Sequence, residues 1–350
     1  MFINYDRCKS DDFLYSMTNE RKNKIVVFER EFDGTISFRG SFITGGEGTA
    51  VSQTDPLGSQ GSIIVFPYES LLFNVNAGDN TISSFRIIGD KLVLKDVVSS
   101  HGIMPNSLAI LDRNLYVTNV GDNTHPSNVA GFHIRENGTL EFISVTAFSN
   151  PNVSPGSIAS CHCEDKLVVS EKGTNLLSVF TVRDDGTLTT PVENPSNGTT
   201  PFGSVCASGT LYVSEAGPNA LSSYDVLRNS HLSVISGSVK NGQSATCWVS
   251  ITPEQTFAYT SNAGNGTISQ YKINANNSLT LIETVPSTPG INGAPLDSAI
   301  DDEGNYFYVL NGSQGSISVF KIQKNGHLRL IQIYQNTHLP KVGAQGLAIF

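Results

Sequence analysis

The fold is decided by four stretches of one repeated pattern: "PNSLAILDRNLYVTNV" (Pro105–Val120), "PFGSVCASGTLYVSEA" (Pro201–Ala216), "SATCWVSITPEQTFAYTSNA" (Ser244–Ala263) and "PLDSAIDDEGNYFYVLNG" (Pro295–Gly312). Each stretch reads as a Pro- or Ser-led start, a strand of small residues, a turn, and an apolar strand that closes on Asn or Glu. An alternating strand such as "TISQYKI" or "SISVFKI" comes next, and a Gly-containing turn then leads to a fourth strand such as "GHLRLIQI". Four strands per repeat predict the blades of an all-β propeller.

The residue that closes the second strand of each repeat gives the number of blades. It falls at Asn19, Asn76, Asn119, Glu171, Glu215, Asn262 and Asn311. Successive positions lie 57, 43, 52, 44, 47 and 49 residues apart. The sequence therefore predicts a single domain over residues 1–350, a seven-bladed β-propeller with four antiparallel strands in each blade.

The two ends of the chain complement each other. The first repeat lacks an innermost strand ahead of "FLYSMTN" (Phe13–Asn19), whereas the chain ends in a spare one, "AQGLAIF" (Ala344–Phe350). Closing a sheet removes exposed edges that would otherwise pair with other chains. We therefore expect the C-terminal strand to pair into blade one and close the ring.

Composition and charge narrow the classes of partner. The formal net charge is -9, only 15% of residues are charged, and no basic run occurs. Nucleic-acid binding needs a basic face, so it is not expected. No apolar stretch is long enough to span a bilayer, and the start of the chain lacks the features of a signal peptide. We expect a cytoplasmic monomer that binds a small-molecule substrate or ligand, contacts no membrane or nucleic acid, and uses no cofactor.

Cysteines and glycosylation sequons indicate whether a chain is cytoplasmic or secreted. The five cysteines, Cys8, Cys161, Cys163, Cys206 and Cys247, are odd in number and lack CxxC spacing, so we expect reduced thiols and no metal site. Six Asn-x-Ser/Thr sequons are present, and they would suit a secreted chain. Asn-Gly-Thr also forms a tight turn before a strand, and that interpretation is favoured here.

Any ligand site is expected at one mouth of the central channel. In each blade the loop before the first strand and the loop after the second lie on the same face, because the two strands are antiparallel neighbours. This places His101, Gly156, Phe202, Trp248, Asp297 and Gln345 near that mouth. His162, His231 and His327 fall on the opposite face or the rim. The sequence leaves open whether the long segments between blades near Gly45 to Gly61 and Ser287 to Ala294 cover the mouth.

The Asn and Glu residues that close the second strands allow two interpretations. Their oxygens could bind calcium, but an Asn that recurs in almost every blade is better explained as a turn residue. Glu171 and Glu215 break the pattern in adjacent blades, and a carboxylate pair can carry one raised pKa and transfer protons. They could equally be solvated or paired with Lys172 or Lys341.

At these residues the chain resembles the lactonase-type propellers, which include bacterial 6-phosphogluconolactonase and the fungal 3-carboxy-cis,cis-muconate lactonizing enzyme. The resemblance covers essentially the whole chain and rests on strand endings such as "LYVTN" and "YTSN" and on "LYVSEAGPNALSSYDV" (Leu211–Val226). It implies that Glu215 corresponds to the acidic active-site residue of the family. In "VVSEKGTNLLSVF" (Val168–Phe180), Glu171 and Asn175 stand where that family usually has Asp.

The chain departs from the family pattern where charged groups are expected. Ser154 and Gly156 stand in the places of the family's His residues, and Phe202 and Ala263 stand where Arg is usual. Phosphorylated and tricarboxylate substrates need such cations, which bind anions through paired hydrogen bonds. The departures argue against both named activities and predict a neutral substrate.

Two hypotheses arise from this site. The first is an enzyme, possessing a lactonase-like or cycloisomerase-like activity on a neutral, largely apolar molecule in specialised metabolism. It would use Glu215, Glu171 and His101 for catalysis and Phe202, Trp248, Asp297, Asn119, Asn262, Asn311 and Gln345 for binding. The alternative is a non-catalytic scaffold that binds a ligand or a protein and has lost the catalytic His and Arg.

Overall fold

The computed structural model describes residues 13–350, so Cys8 lies outside the described residues. Their strands form seven four-stranded antiparallel sheets, as the repeat predicts. Alternation of small or apolar residues with polar ones, broken by Gly and Asn turns, gives these short strands. The first strands of neighbouring blades contact one another around a central channel.

The strands are numbered in chain order, and the innermost strand of each blade is given first. Blade one is β28 (Gln345–Ile349), β1 (Phe13–Met17), β2 (Lys24–Arg30) and β3 (Ile36–Ile43); blade two is β4 (Ile63–Phe66), β5 (Leu71–Asn76), β6 (Thr81–Ile88) and β7 (Lys91–Ser99); blade three is β8 (Pro105–Leu111), β9 (Asn114–Asn119), β10 (Asn128–Ile134) and β11 (Leu140–Ala147); blade four is β12 (Pro155–Cys161), β13 (Lys166–Glu171), β14 (Leu176–Thr181) and β15 (Val192–Pro195).

The remaining blades have the same order. Blade five is β16 (Pro201–Ala207), β17 (Thr210–Glu215), β18 (Ala220–Val226) and β19 (Leu232–Lys240); blade six is β20 (Thr246–Ile251), β21 (Phe257–Asn262), β22 (Thr267–Ile273) and β23 (Leu279–Pro286); blade seven is β24 (Pro295–Ile300), β25 (Tyr306–Asn311), β26 (Ser316–Ile322) and β27 (Leu328–Tyr334). Two single-turn 3₁₀ helices, Pro67–Glu69 and His162–Glu164, lie between the first and second strands of blades two and four.

The predicted closing residue ends the second strand in six blades. In blade one, β1 ends at Met17, two residues before Asn19, whose backbone turns to a left-handed φ of 51°. The register confirms that the closing residue faces the start of the first strand, as in the pairs Pro155 with Glu171 and Pro201 with Glu215. We call the face with these pairs the upper face. The face where the first strand turns into the second is the lower face.

The C-terminal strand closes the ring, as predicted. Strand β28 is antiparallel to β1, with Leu14 opposite Ile349 and Tyr15 opposite Ala348. The backbone N–H of Phe350 also donates to the carbonyl of Phe13 at 2.9 Å. Blade one is thus built from both ends of the described chain, and β1 has no exposed edge.

Neighbouring blades are joined by a repeated tyrosine contact. Tyr116, Tyr259 and Tyr308 lie at corresponding places on second strands, and each is fully buried. Each hydroxyl donates to a glycine carbonyl in the next blade: Tyr116 to Gly186 (2.9 Å), Tyr259 to Gly326 (3.0 Å) and Tyr308 to Gly34 (3.0 Å). A buried hydroxyl needs such a partner, so the contact fixes how the blades stack.

The expectation that all cysteines are reduced is wrong for one pair. Cys161 ends β12, Cys206 lies on the adjacent β16, and the two form a disulfide with their Cα atoms 5.3 Å apart. Their separation of 45 residues is about one blade, which places them side by side in neighbouring innermost strands. Cys163 is an exposed thiol and Cys247 a buried one. Disulfides are rare in cytosolic proteins, so this pair does not favour the expected cytoplasmic location.

Among residues 13–350, no helix combines the length and the apolar character needed to cross a bilayer.

Candidate active site in the central channel

The segment that joins blades one and two enters the central channel. Residues 54–62, which we call the channel segment, form hydrogen bonds with the inner parts of five other blades. These bonds are Ser59 Oγ to the Asn106 carbonyl (2.8 Å), Gln60 N to the Gly156 carbonyl (2.9 Å), Gln60 Nε2 to the Ser204 carbonyl (3.2 Å), the Trp248 indole N–H to the Ser59 carbonyl (3.0 Å) and Gly61 N to Asp297 Oδ1 (3.0 Å). The segment thus divides the channel into an upper and a lower part.

Asp55 lies at the upper side of the channel segment. Its carboxylate accepts a hydrogen bond from Gly58 N at 2.9 Å and another from the side chain of Gln345. Burial raises the pKa of Asp55 to about 6, and the nearby ammonium of Lys172 opposes that rise. A carboxyl group with a pKa near neutrality can both accept and return a proton, as a general base or acid must.

Lys172 is held close to Asp55 by two contacts. Its ammonium donates a hydrogen bond to the carbonyl of Gly58 and lies 4.9 Å from the ring centroid of Phe202. Burial lowers the pKa of Lys172, whereas Asp55 raises it. The Lys172 ammonium therefore binds the channel segment and the ring face of Phe202.

A second carboxyl group lies in the same part of the channel. Asp297 is 3% exposed, and its Oδ2 has no hydrogen-bond partner among the described residues. Burial raises its pKa to about 7, and the charge of Asp55 adds to that rise. Asp55 and Asp297 thus influence each other's ionisation, and Asp55 also interacts with Lys172. Such groups of interacting titratable side chains are found at functional sites more often than elsewhere.

The upper part of the channel contains a cavity of about 420 Å³. Asp55 and Thr54 form one side of its wall, and blades six and seven form the rest through Cys247, Trp248, Ala263, Leu296, Asn292 and Ser313. Phe202 packs against Trp248 with ring centroids 5.0 Å apart. We call this space the upper cavity. Its size and mostly apolar wall suit a small organic ligand.

Cys247 lines this cavity but is not suited to act as a nucleophile. Burial raises the pKa of its thiol to about 12, and Asp55 contributes to that rise. The thiol therefore stays protonated near neutral pH, and the thiolate is the reactive form.

The structure does not bring together the three residues expected to be catalytic. Glu171 accepts hydrogen bonds from Thr174 and Ser178, and burial raises its pKa. Glu215 accepts from Gly198 N at 2.9 Å and from Ser222 Oγ at 2.6 Å. Both carboxylates bind groups in or next to their own blade and share no partner in the described chain. Neither lines the upper cavity.

His101 does not border the mouth. Its ring stacks on Phe142 of the outermost strand β11, with centroids 3.8 Å apart, and burial lowers its pKa. The loop before β8 does reach the upper face, but the side chain turns away from the channel because an aromatic surface is available on the outer side of the blade.

The residues expected to bind substrate fall into two groups. Phe202, Trp248, Asp297 and Gln345 are buried around the channel segment, near the predicted mouth, and Trp248 lines the upper cavity. The others bond within or beside their own blade. These contacts are Asn119 Nδ2 to Asn128 Oδ1 (2.9 Å), Asn262 Nδ2 to Ser269 Oγ (2.9 Å) and Asn311 Nδ2 to Ser318 Oγ (2.9 Å).

Sequence reasoning missed Asp55, Gln60 and the role of Lys172. One signal was present: the spacing of 57 residues between Asn19 and Asn76 is the longest of the six, which marks an insertion between blades one and two. Nothing local in that insertion shows that it enters the channel, since its partners come from distant blades.

The contacts of Glu215 predict a role in stability. Replacing Glu215 with Ala removes the acceptor for Gly198 N, Ser222 and Ser238, and we expect a loss of about 2–3 kcal/mol of unfolding free energy. Glu215→Gln keeps one oxygen, and its amide can donate to the Ser238 hydroxyl, so a loss of about 1 kcal/mol is expected. Urea unfolding of both variants measures this difference. Wild-type stability in Glu215→Ala would refute the structural role.

Comparison with known proteins agrees with this architecture. The family described as a lactonase with a seven-bladed β-propeller matches residues 230–342, about a third of the chain. No curated protein matches the sequence.

Solved structures resemble the chain over nearly its whole length. A periplasmic gluconolactonase from Pseudomonas aeruginosa is 15% identical, with a TM-score of 0.74 over 95% of this chain and 98% of that one. A protein from Bacteroides fragilis, provisionally assigned as a 6-phosphogluconolactonase, is 16% identical, with a TM-score of 0.75 over 98% and 99%. A protein of unknown function from Desulfotomaculum acetoxidans is 14% identical, with a TM-score of 0.76 over 97% and 99%. At these identities the likeness establishes the fold.

Proposed function

We propose that this chain, whose residues 230–342 match the family of seven-bladed β-propeller lactonases, carries out a lactonase-like reaction in the upper cavity. The substrate class is a neutral, largely apolar lactone, and Asp55 is the group that transfers the proton. Cyclisation or isomerisation of a similar molecule by proton transfer would use the same carboxylate. The proton-transferring carboxylate is thus Asp55 in the channel segment. The family resemblance implies Glu215 for this role.

The observation that carries the proposal is the position of Asp55. It is a carboxyl group with a pKa of about 6 in the wall of a cavity that also presents the apolar faces of Trp248 and Leu296. A general base has to reach its substrate and hold a pKa near the working pH. Glu171 and Glu215 do not reach a substrate in the upper cavity, because each is enclosed by hydroxyl groups of its own blade.

The charge of the wall favours a neutral substrate. Within the described chain, the lining of the upper cavity contains no lysine or arginine. Ala263 lines the cavity in one place where the family resemblance implies arginine, and Phe202 takes the other such place. Lys172 is engaged by Gly58, Phe202 and Asp55. A phosphate or carboxylate on the substrate would therefore lose its water without gaining a cation.

The proposed reaction is general-base hydrolysis. The Asp55 carboxylate removes a proton from a water molecule, and the water oxygen forms a bond to the lactone carbonyl carbon. The bond from that carbon to the ring oxygen then breaks, and the ring oxygen takes the proton back from Asp55. One water is consumed, the product is a hydroxy acid, and Asp55 returns to its starting state.

A substrate panel tests the proposal. The full chain is incubated with neutral lactones, such as dihydrocoumarin and δ-decalactone, and with the anionic 6-phosphoglucono-δ-lactone, while acid release is monitored by titration. We expect saturable opening of at least one neutral lactone and no turnover of the anionic one. Turnover of the phosphorylated lactone alone would contradict the proposal.

One observation favours the second candidate, a scaffold without catalysis. The channel segment occupies the middle of the channel and bonds to several blades, which gives a rigid binding pocket rather than an open active site. On this alternative a neutral lactone binds and is recovered unchanged. Mass spectrometry of ligand released from the incubated protein separates the two candidates.

A further inference from the structure

A second cavity, larger than the upper cavity, lies on the other side of the channel segment. It has a volume of about 730 Å³ and is formed by the innermost strands β4, β8, β12 and β16 of four adjacent blades. It reaches from Gln60 in the middle of the channel to Glu69, Arg113 and His162 at the lower face. We call it the lower cavity. Its volume is within the range of pockets that enclose small organic ligands.

Between its deep end and its rim, the wall of the lower cavity is mostly apolar and is not covered by the described residues. Ile64, Phe66, Ile110 and Val205 lie on innermost strands and line the cavity, yet each remains partly exposed. Apolar surface in contact with water costs about 25 cal/mol per Å² relative to burial. A ligand with an apolar body would recover that free energy by covering these side chains.

Within residues 13–350, the polar side chains at the deep end of the cavity already have hydrogen-bond partners. The Gln60 side chain donates to the Ser204 carbonyl at 3.2 Å and accepts from Val249 N at 2.9 Å. The hydroxyl groups of Ser157 and Ser204 lie 2.7 Å apart and bond to each other. Because these groups are already satisfied, the deep end suits the apolar part of a ligand.

The rim of the cavity is polar and slightly acidic. Arg113 forms an ion pair with Glu69, and Asp112 is exposed beside it. His162 lies 3.4 Å from the Ser160 hydroxyl, and Tyr68 is 94% exposed. Two carboxylates and one guanidinium leave an excess of one negative charge when His162 is neutral. The rim therefore disfavours an anionic head group and offers hydrogen bonds to a neutral one.

The disulfide holds one wall of this cavity. Cys206 lines it, and the bond to Cys161 ties β12 of blade four to β16 of blade five. A wall fixed in this way has little conformational entropy left to lose when a ligand binds.

We propose that the lower cavity is a second ligand site, separate from the upper cavity, which takes a neutral amphipathic molecule. The apolar body contacts Ile64, Ile110 and Val205, and a hydrogen-bonding end lies at the rim beside Tyr68 and His162. The site stands on its own lining and does not depend on catalysis in the upper cavity.

A fluorescent probe tests this site. N-phenyl-1-naphthylamine is neutral and apolar and gains fluorescence in apolar surroundings. We expect saturable binding to the wild-type chain, and dissociation constants raised about tenfold or more in Ile110→Glu, which places a charge in the wall. Ile88→Glu is the matched control, because Ile88 is exposed on β6 and lines neither cavity. It should bind the probe as the wild type does.

A second variant separates loss of binding from loss of folding. Val205→Phe keeps the wall apolar and reduces the volume, so it should also weaken probe binding while its thermal transition stays cooperative. Equal affinity in wild type, Ile110→Glu and Val205→Phe would overturn the proposal, as would the absence of saturable binding to the wild type. Asp55→Asn should bind the probe as the wild type does, which keeps this outcome distinct from that of the upper cavity.

Discussion

A chain that ends at Ala344 should fail to give a soluble, folded monomer. The deletion removes β28, which is the innermost strand of blade one and the antiparallel partner of β1. It exposes the edge of β1 and opens the hydrophobic cluster to which Leu347 belongs. An apolar, unpaired strand edge promotes association between chains. We expect aggregation, or at most a species without a cooperative unfolding transition, in size-exclusion chromatography and thermal unfolding.

The control for this deletion keeps the strand intact and changes the chain only after its last residue. Extending the chain beyond Phe350 by a Gly-Ser pair leaves β28 paired, and its thermal midpoint should stay within about 2 °C of wild type, the shift expected of a surface change. A truncated chain that elutes as a monomer with the wild-type midpoint would show that the ring does not need β28.

Replacing Asp55 with Asn should lower the rate of lactone opening by a factor of about 10²–10⁴, the usual contribution of a general base. The amide keeps the size of the side chain and can still accept the hydrogen bond from Gly58 N. In the wild type the ionised carboxylate is the active form, so the rate should fall as pH drops below about 6, the pKa of Asp55. A pH profile of kcat/KM from pH 4.5 to 8.5 measures both effects, and the fall near pH 6 should be absent from the residual rate of the variant.

The fold could be predicted because each blade corresponds to one local repeat of the sequence. Stretches such as Pro105–Val120 and Pro201–Ala216 each contain the strand pattern, the turn and the closing residue of one blade. The spare strand at Ala344–Phe350 and the missing one before Phe13 predicted the closure that the β28–β1 pairing confirms. Short-range alternation and turn residues carry this information, and no distant contact is needed to interpret it.

The structural role of the two glutamates was also visible in the sequence. A serine stands seven residues after most of the closing residues, and the closing side chain bonds to it across the turn. These pairs are Asn76 with Ser83, Glu171 with Ser178, Glu215 with Ser222, Asn262 with Ser269 and Asn311 with Ser318. Glu171 and Glu215 thus take the place of Asn within a repeated blade contact, which explains why they do not converge at the mouth.

The candidate site could not be predicted in the same way. Asp55 lies in an insertion without a repeat partner, and its pKa depends on burial beside Lys172, which lies more than a hundred residues later in the chain. The lower cavity depends on side chains from four blades, and His162 there was set aside because it lies away from the predicted mouth. Such arrangements arise from long-range packing, which local patterns do not encode.

We infer that Asp55, and not Glu215, transfers the proton. The most direct test measures kcat/KM for a neutral lactone at pH 8 in the variants Asp55→Asn and Glu215→Gln, side by side. Both changes replace a carboxylate with its amide. We expect kcat/KM to fall by a factor of about 10²–10⁴ in Asp55→Asn and to stay within about threefold of wild type in folded Glu215→Gln. A folded Glu215→Gln variant that loses its activity while Asp55→Asn retains it would place the chemistry at Glu215 instead.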